Sequence, residues 1–298
     1  MRLSELERVL YPGEGIMKGD VLNYYYRIAE TIMPHLRDRF ALLRCWPEGI
    51  SGEIHHRRLP EDRPAWVSAV AGGDATFPRP KLVVVDEPAV LAYLTEQTCI
   101  TPFVSTSTVR APHAPDRIVF DIDPPLSRPT AFHEVCSAAR LVRSVTSGLG
   151  LAAFVMSTGS RGLHVHVPIV PGAEFPGVAR FARRIAERAC RLDPNRVAPS
   201  AEARGRDRCV ISWERNRAGG VSVAPYALRA LPGAPVATPL SWDELRATGP
   251  GPSSFDISTV FQRLARRGDP WKDIDRWARP LPDVYAAVPA RSLEARTC

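Results

Sequence analysis

Apolar and polar positions alternate most strictly along Leu163-His164-Val165-His166-Val167-Pro168-Ile169. A period of two predicts a strand with Leu163, Val165, Val167 and Ile169 packed inward and His164, His166 and Pro168 on the opposite face. Residues 117–125 read the same way. The apolar run Ile118-Val119-Phe120 leads into Asp121-Ile122-Asp123, and Pro124-Pro125 ends the strand. Asp121 and Asp123 then share one face, with Phe120 and Ile122 on the other. Further strands are predicted at 41–44, 81–85, 151–156, 209–214 and 221–226.

Helical spacing dominates elsewhere. Val21, Leu22, Tyr25, Ile28, Ala29, Ile32 and Met33 predict a helix over 18–36, ending at Pro34-His35. Asp86 is the expected cap of a helix over 88–97, and Thr130 of one running to Val145. Residues 177–191 form a basic amphipathic helix. Ser241-Trp242-Asp243-Glu244 is a capping box expected to open a helix, and Asp256 heads another that runs to Arg267. Residues 60–80 and 200–208 read as loops. The Pro- and Arg-rich stretch 270–298 is expected to be a surface tail. Strands run in neighbouring pairs rather than alternating with helices, which predicts an α+β fold with mixed or antiparallel sheets flanked by helices. The 298 residues are expected to form a single domain of two packed lobes.

Two carboxylates on one strand face repel each other unless a cation sits between them. Mg²⁺ or Mn²⁺ is the ordinary partner for such oxygen ligands, although a polar strand end would show the same pattern. The turn Ser157-Thr158-Gly159-Ser160-Arg161-Gly162 sharpens the picture. Its glycines let backbone N–H groups approach an anion, and Arg161 adds charge. It is neither a Walker A loop nor a G-x-G-x-x-G fingerprint. His55-His56-Arg57-Arg58 suits a nucleic-acid backbone with stacked bases, or equally a solvated edge strand. Arg8 and Lys18 flank a turn at 10–15; spacing alone favours two solvated cations there.

Composition changes little. A net charge of +7 and a pI near 9.3 fit a polyanionic partner. The six cysteines are scattered with no C-x-x-C pair, which argues against zinc and disulfides and for a reducing cytoplasm. No apolar run is long enough to span a membrane, and the N-terminus does not read as a signal peptide.

The chain resembles the polymerase domain of bacterial ligase D, in the archaeo-eukaryotic primase superfamily. The residues that carry the resemblance are Val9-Leu10-Tyr11-Pro12, Lys18-Gly19-Asp20, Phe120-Asp121-Ile122-Asp123-Pro124, Gly162-Leu163-His164-Val165, Arg215-Asn216, Val223-Ala224-Pro225-Tyr226, and Pro235 through Leu245. They occur in family order over nearly the whole chain. The resemblance implies a primase-polymerase fold and a metal-dependent nucleotidyl transferase that extends DNA ends in non-homologous end joining, often with ribonucleotides. It implies Asp121 and Asp123 as catalytic ligands of Mn²⁺ or Mg²⁺. It implies Thr158, Arg161, His164 and Arg229 as triphosphate ligands, Arg8 and Lys18 as contacts to a DNA 5′-phosphate, and His55 and His56 at the template-contacting position. The implied partners are gapped or broken DNA ends, NTP or dNTP, Ku and a separate DNA ligase, at the nucleoid in the cytoplasm and away from membranes.

The chain departs from the family pattern at several of these positions. The third metal carboxylate, on a later strand, is replaced by Ser212, a poor neutral substitute. Glu214 is the candidate replacement ligand, two residues further along. A family histidine is Thr101, paired aromatics are His55-His56, and a lysine is Arg161. Three readings follow: a transferase of altered activity, a pseudo-polymerase that binds DNA ends or nucleotide, or a nucleotide-using enzyme with a different acceptor.

Overall fold

The structure is a computed structural model that describes residues 1–56, 59–71, 81–128, 131–199, 207–246 and 249–282. In chain order the elements are β1 (Val9–Tyr11), β2 (Ile16–Met17), α1 (Lys18–Leu36), β3 (Arg39–Leu42), β4 (Arg44–Cys45), β5 (His55–His56), β6 (Ala69–Ala71), β7 (Lys81–Val85), α2 (Pro88–Glu96), β8 (Phe103–Thr108), β9 (Arg117–Asp123), α3 (Phe132–Ser147), β10 (Phe154–Ser157), β11 (Leu163–Pro168), α4 (Phe175–Leu192), β12 (Val197–Ala198), β13 (Cys209–Ser212), β14 (Val221–Val223), β15 (Pro239–Leu240) and α5 (Thr259–Arg267).

Two sheets organise these elements. One has the order β14-β8-β3-β7-β6, and all its neighbours are antiparallel. The other has the order β12-β13-β9-β11-β10-β15, antiparallel except for the β12–β13 pair. The α+β expectation holds.

Each sheet buries one face under its own helices. Helices α1 and α2 bring Tyr24, Tyr25, Ile28, Ile32, Val90 and Leu94 into the first core. Helices α3 and α4 cover Ile118, Phe120 and Ile122 of β9 and Leu163, Val165 and Val167 of β11. Phe120 is fully buried there, so Phe120→Ala is expected to cost roughly 3–5 kcal/mol. Because strand side chains alternate, the same packing that buries Phe120 and Ile122 turns Asp121 to the opposite face.

The elements differ from the sequence reading at several points. The α1 helix runs through Pro34 to Leu36 instead of stopping at it; Met33 and Leu36 on either side are buried in the first core. Glu87, not Asp86, occupies the N-cap of α2, and no side chain caps it. The expected Thr130 cap lies outside the described residues, and Ala131 sits at the N-cap of α3. The loop expected over 60–80 contains β6. The Ser241 capping box forms, with Glu244 Oε2 accepting from Ser241 N and Oγ at 2.8 and 2.9 Å. It opens only a single 3-10 turn, Trp242–Glu244, and the Glu244 carboxylate is also held by Arg263. Ser258, not Asp256, occupies the N-cap of α5, although Asp256 Oδ1 accepts the Ser258 and Thr259 N–H groups from two residues before it.

The expected surface tail is the largest departure. Trp271 is fully buried and Ile274 nearly so. Asp269 anchors them: it accepts from Tyr226 Oη at 2.7 Å and Trp271 N at 2.9 Å, and its second oxygen pairs with His35 Nε2. Residues 283–298 lie outside the described residues.

Candidate active site

Asp121 sits mid-sheet. Its register partners are His164 on β11 and Ser212 on β13. Residues directly opposite across a ladder share a face, so His164, Asp121 and Ser212 form a row. The Asp121 side chain is buried, and each carboxylate oxygen has a side-chain nitrogen partner. Oδ1 is 3.4 Å from His164 Nε2. Oδ2 takes a two-pronged contact from Arg215, with Nη2 at 2.8 Å and Nε at 3.1 Å. Burial pushes this carboxyl up, but His164 and Arg215 outweigh burial and hold it well below the usual carboxylate range. Asp123 lies two residues along, half-buried on the same face.

The position of Arg215 depends on where β13 ends. The sequence predicted a strand through Glu214, but the strand stops at Ser212 and Glu214–Asn216 form a 3-10 turn. Asn216 fixes that turn. Its Nδ2 donates to Val119 O at 2.8 Å and to Trp213 O at 2.7 Å, and its Oδ1 accepts from Val119 N. The side chain thus extends the edge of β9 and aims Arg215 at Asp121. Arg215 Nη1 also donates to Val221 O at 3.0 Å, which ties it to the other sheet. Glu214 folds back, so that Oε2 accepts the Ser212 hydroxyl and the Trp213 N–H.

The β10–β11 connection is the predicted anion turn. Thr158 Oγ1 donates to Gly162 O and accepts from Gly162 N. Gly159 has φ +63°, and a Cβ there would lie 2.7 Å from Arg229 Cγ. A Cβ at Gly162 would lie 2.1 Å from Ile122 O, so no other residue fits between the turn and the β9 strand. Arg229 Nη1 donates to Thr158 O, which lays the guanidinium along the turn. Arg161 stands exposed on it.

Arg229 is held from behind. Tyr11 Oη donates to Arg229 O at 2.8 Å, and Thr101 Oγ1 accepts Ala230 N at 3.1 Å. Burial pulls the Arg229 guanidinium down to about 10; Asp121 opposes that pull, and Arg215 and Arg44 add to it. Arg44 lies over the Phe103 and Trp46 rings at 5.1 and 5.5 Å, with its Nε buried and unpartnered. Burial and Arg215 lower it too. The three guanidinium groups therefore repel one another, with Arg215 and Arg229 beside Asp121. Sequence reasoning missed two of them. Arg215 stood inside a quoted motif, and Arg44 is the one cation in an apolar strand, so both left a signal.

The other expected residues fall elsewhere. His55 and His56 are exposed on β5, with His56 opposite Arg44 and His55 opposite Cys45. Arg8 and Lys18 are brought together by the Lys18 N to Arg8 O bond at 2.8 Å. The Lys18 ammonium, however, is buried on Glu96 Oε2 at 2.8 Å and Ser4 O at 2.9 Å. Arg8 donates to Pro47 O and pairs with Glu5. In this structure Lys18 is not open to a phosphate.

Asp121 and Asp123 offer oxygen ligands from one face of β9, which fits an ion that brings its own phosphate ligands. They do not amount to an ion cage: among the described residues no group of three or more His, Cys, Asp or Glu is placed to hold a metal.

The Asp121 row lies between a glycine-tight turn and the guanidinium groups of Arg215 and Arg229, an arrangement whose chemistry suits a polyphosphate. The chain belongs to the family described as "LigD, primase-polymerase domain", which it matches over residues 17–271. It is similar to the multifunctional non-homologous end joining protein LigD of Mycolicibacterium smegmatis, with 28% identity over 95% of this chain and 37% of that protein. It is similar to the bifunctional LigD of Bacillus subtilis at 24% identity, over 97% of this chain and 46% of that protein. It thus spans less than half the length of these relatives. The solved polymerase domain of Mycobacterium tuberculosis ligase D in complex with DNA superposes with a TM-score of 0.83 and 27% identity, covering 93% of this chain and 99% of that one. The resemblance inferred from the motifs is borne out.

Proposed function

We propose that this chain is a divalent-ion-dependent nucleotidyl transferase that extends 3′ ends at gapped or broken DNA in non-homologous end joining. The observation that carries the reading is the Asp121 row, set against the Gly159–Gly162 turn and the surplus positive charge of Arg44, Arg215 and Arg229. Asp121 and Asp123 would hold Mn²⁺ or Mg²⁺, which as a Lewis acid neutralises charge on triphosphate oxygens.

The chain's own groups position the rest. Arg229 and exposed Arg161 bind the NTP or dNTP triphosphate by charge, and the Thr158–Gly162 turn supplies the close backbone approach. His164 fixes the orientation of Asp121. The hydroxyl of Thr158 acts through the turn it closes. His55 and His56 face the template. Arg8 meets a downstream 5′-phosphate at the rim, and Lys18 joins it only when Glu96 and Ser4 release it. Among the described residues no helix is long and apolar enough to cross a membrane. Ku and a separate DNA ligase are the proposed protein partners, at the nucleoid in the cytoplasm.

Ser212 favours a second reading, in which the site binds nucleotide and DNA ends without transfer. Primer extension on a gapped duplex carrying a 5′-phosphate, in Mn²⁺ and then Mg²⁺, separates the two. Template-dependent incorporation by wild type, lost in Asp121→Ala, supports the transferase. Binding of DNA and nucleotide with no incorporation supports the second reading.

A further inference from the structure

The geometry points to a site that takes its divalent ion only together with a triphosphate, because Arg215 already serves as the resident cation of Asp121. This inference rests on the nucleotide-binding reading above.

Three observations carry it. First, Asp121 Oδ2 is taken by the Nη2 and Nε of Arg215, and that guanidinium is itself fixed by Val221 O. A hydrated ion approaching Asp121 meets an occupied oxygen. Second, the residue directly across the ladder from Asp121 is the neutral Ser212, whose hydroxyl donates to Glu214. Glu214 Oε2 also accepts the Trp213 N–H, so its carboxylate is turned to its own turn and not to the Asp121 row. No third protein ligand completes a cage among the described residues. Third, positive charge already crowds the cleft without an ion. Arg215 and Arg229 lie beside Asp121, and Arg44 adds its charge to both of them. A free 2+ ion gains little from a site that already presents guanidinium groups. An ion already chelated by a triphosphate arrives as a net anion, and the same guanidinium groups attract it.

The consequence is an order of assembly. The bare protein holds no ion, the ion–nucleotide complex enters as one body, and Arg215 exchanges Asp121 for phosphate oxygens, for which its planar fork is equally suited.

The test is direct binding. Mn²⁺ is titrated into nucleotide-free protein and followed by the loss of the free-ion electron paramagnetic resonance signal. A fluorescent, non-hydrolysable ATP analogue is followed by anisotropy with and without Mn²⁺. Wild type is expected to show no saturable Mn²⁺ binding alone, and to bind the analogue at least about tenfold more tightly with Mn²⁺. Ser212→Asp is expected to gain one saturable Mn²⁺ site in the absence of nucleotide, at least about tenfold tighter than any residual Mn²⁺ uptake by wild type. Arg215→Ala gains part of that, with thermal melting confirming that each variant folds. Mn²⁺ binding to bare wild type as tight as to Ser212→Asp overturns the inference while leaving nucleotide binding in place. Failure of the analogue to bind under either condition overturns both this inference and the nucleotide reading.

Discussion

Two cationic regions of this molecule resemble each other in sequence and differ in kind. Around Asp121, the guanidinium groups of Arg44, Arg215 and Arg229 crowd together, and burial and mutual repulsion lower Arg229 and Arg44. At the N-terminus, Arg8 and Lys18 are joined by one backbone hydrogen bond, yet each has its own carboxylate, Glu5 and Glu96. Burial pushes the Glu96 carboxyl up, and its bonds from Lys18 and Ser4 more than reverse that. The first region has charge in search of a polyanion, and the second is largely neutralised from within. Residue spacing finds cations; only the fold shows which of them are already spoken for.

The largest expected effect lies in the first region. Asp121→Ala removes the carboxylate at the centre of the row and should lower nucleotide incorporation at least about a thousandfold, read by primer extension. Arg229→Ala removes a charged donor from the turn. It should weaken triphosphate binding by about 10- to 100-fold with DNA-end binding unchanged, which titration of a fluorescent nucleotide would show. A comparable loss of nucleotide binding from Arg8→Ala would break the distinction between the regions.

The same contrast between partnered and orphaned groups predicts a pH dependence. His35 has Asp269, whereas His166 is buried beside Trp271 with both ring nitrogens unpartnered. Burial lowers both histidines below the ordinary 6.5; Asp269 opposes this at His35, while His164, Arg117, Arg39 and His35 add to it at His166. The unfolded chain then binds protons that the folded one refuses. Stability is therefore full above the ordinary histidine value and falls as pH drops below 6.5, by up to about 1.4 kcal/mol per pH unit per histidine. Denaturant midpoints between pH 7 and pH 5 measure this slope. His166→Phe should flatten it, and an unchanged slope would refute the assignment.

The smallest effect belongs to the N-terminal pair. Glu96→Gln should release Lys18 and raise the preference for a 5′-phosphorylated gap a few-fold, read by comparing extension on phosphorylated and unphosphorylated duplexes.

The parts of the site legible in the sequence were those written in local period. A strict alternation with one apolar face fixed which way Asp121, His164 and His166 point, and the two glycines of the turn marked its close approach to β9. What escaped depended on distant contacts. Arg215 reaches Asp121 because Asn216 clamps a turn onto Val119, and Lys18 is buried because Glu96 arrives from another helix. Trp271 looked like part of a polar tail because its neighbours are Pro and charged residues; Asp269 and Tyr226 draw it inside.

The central claim is that the Asp121 cleft, and not the N-terminal pair, is where this chain binds polyphosphate. The most direct measurement is the affinity of a fluorescent nucleoside triphosphate, with Mn²⁺, for wild type, Arg229→Ala and Arg8→Ala. A loss of about tenfold or more in Arg229→Ala with Arg8→Ala equal to wild type is the predicted result. The reverse pattern, with Arg8→Ala impaired and Arg229→Ala intact, would contradict it.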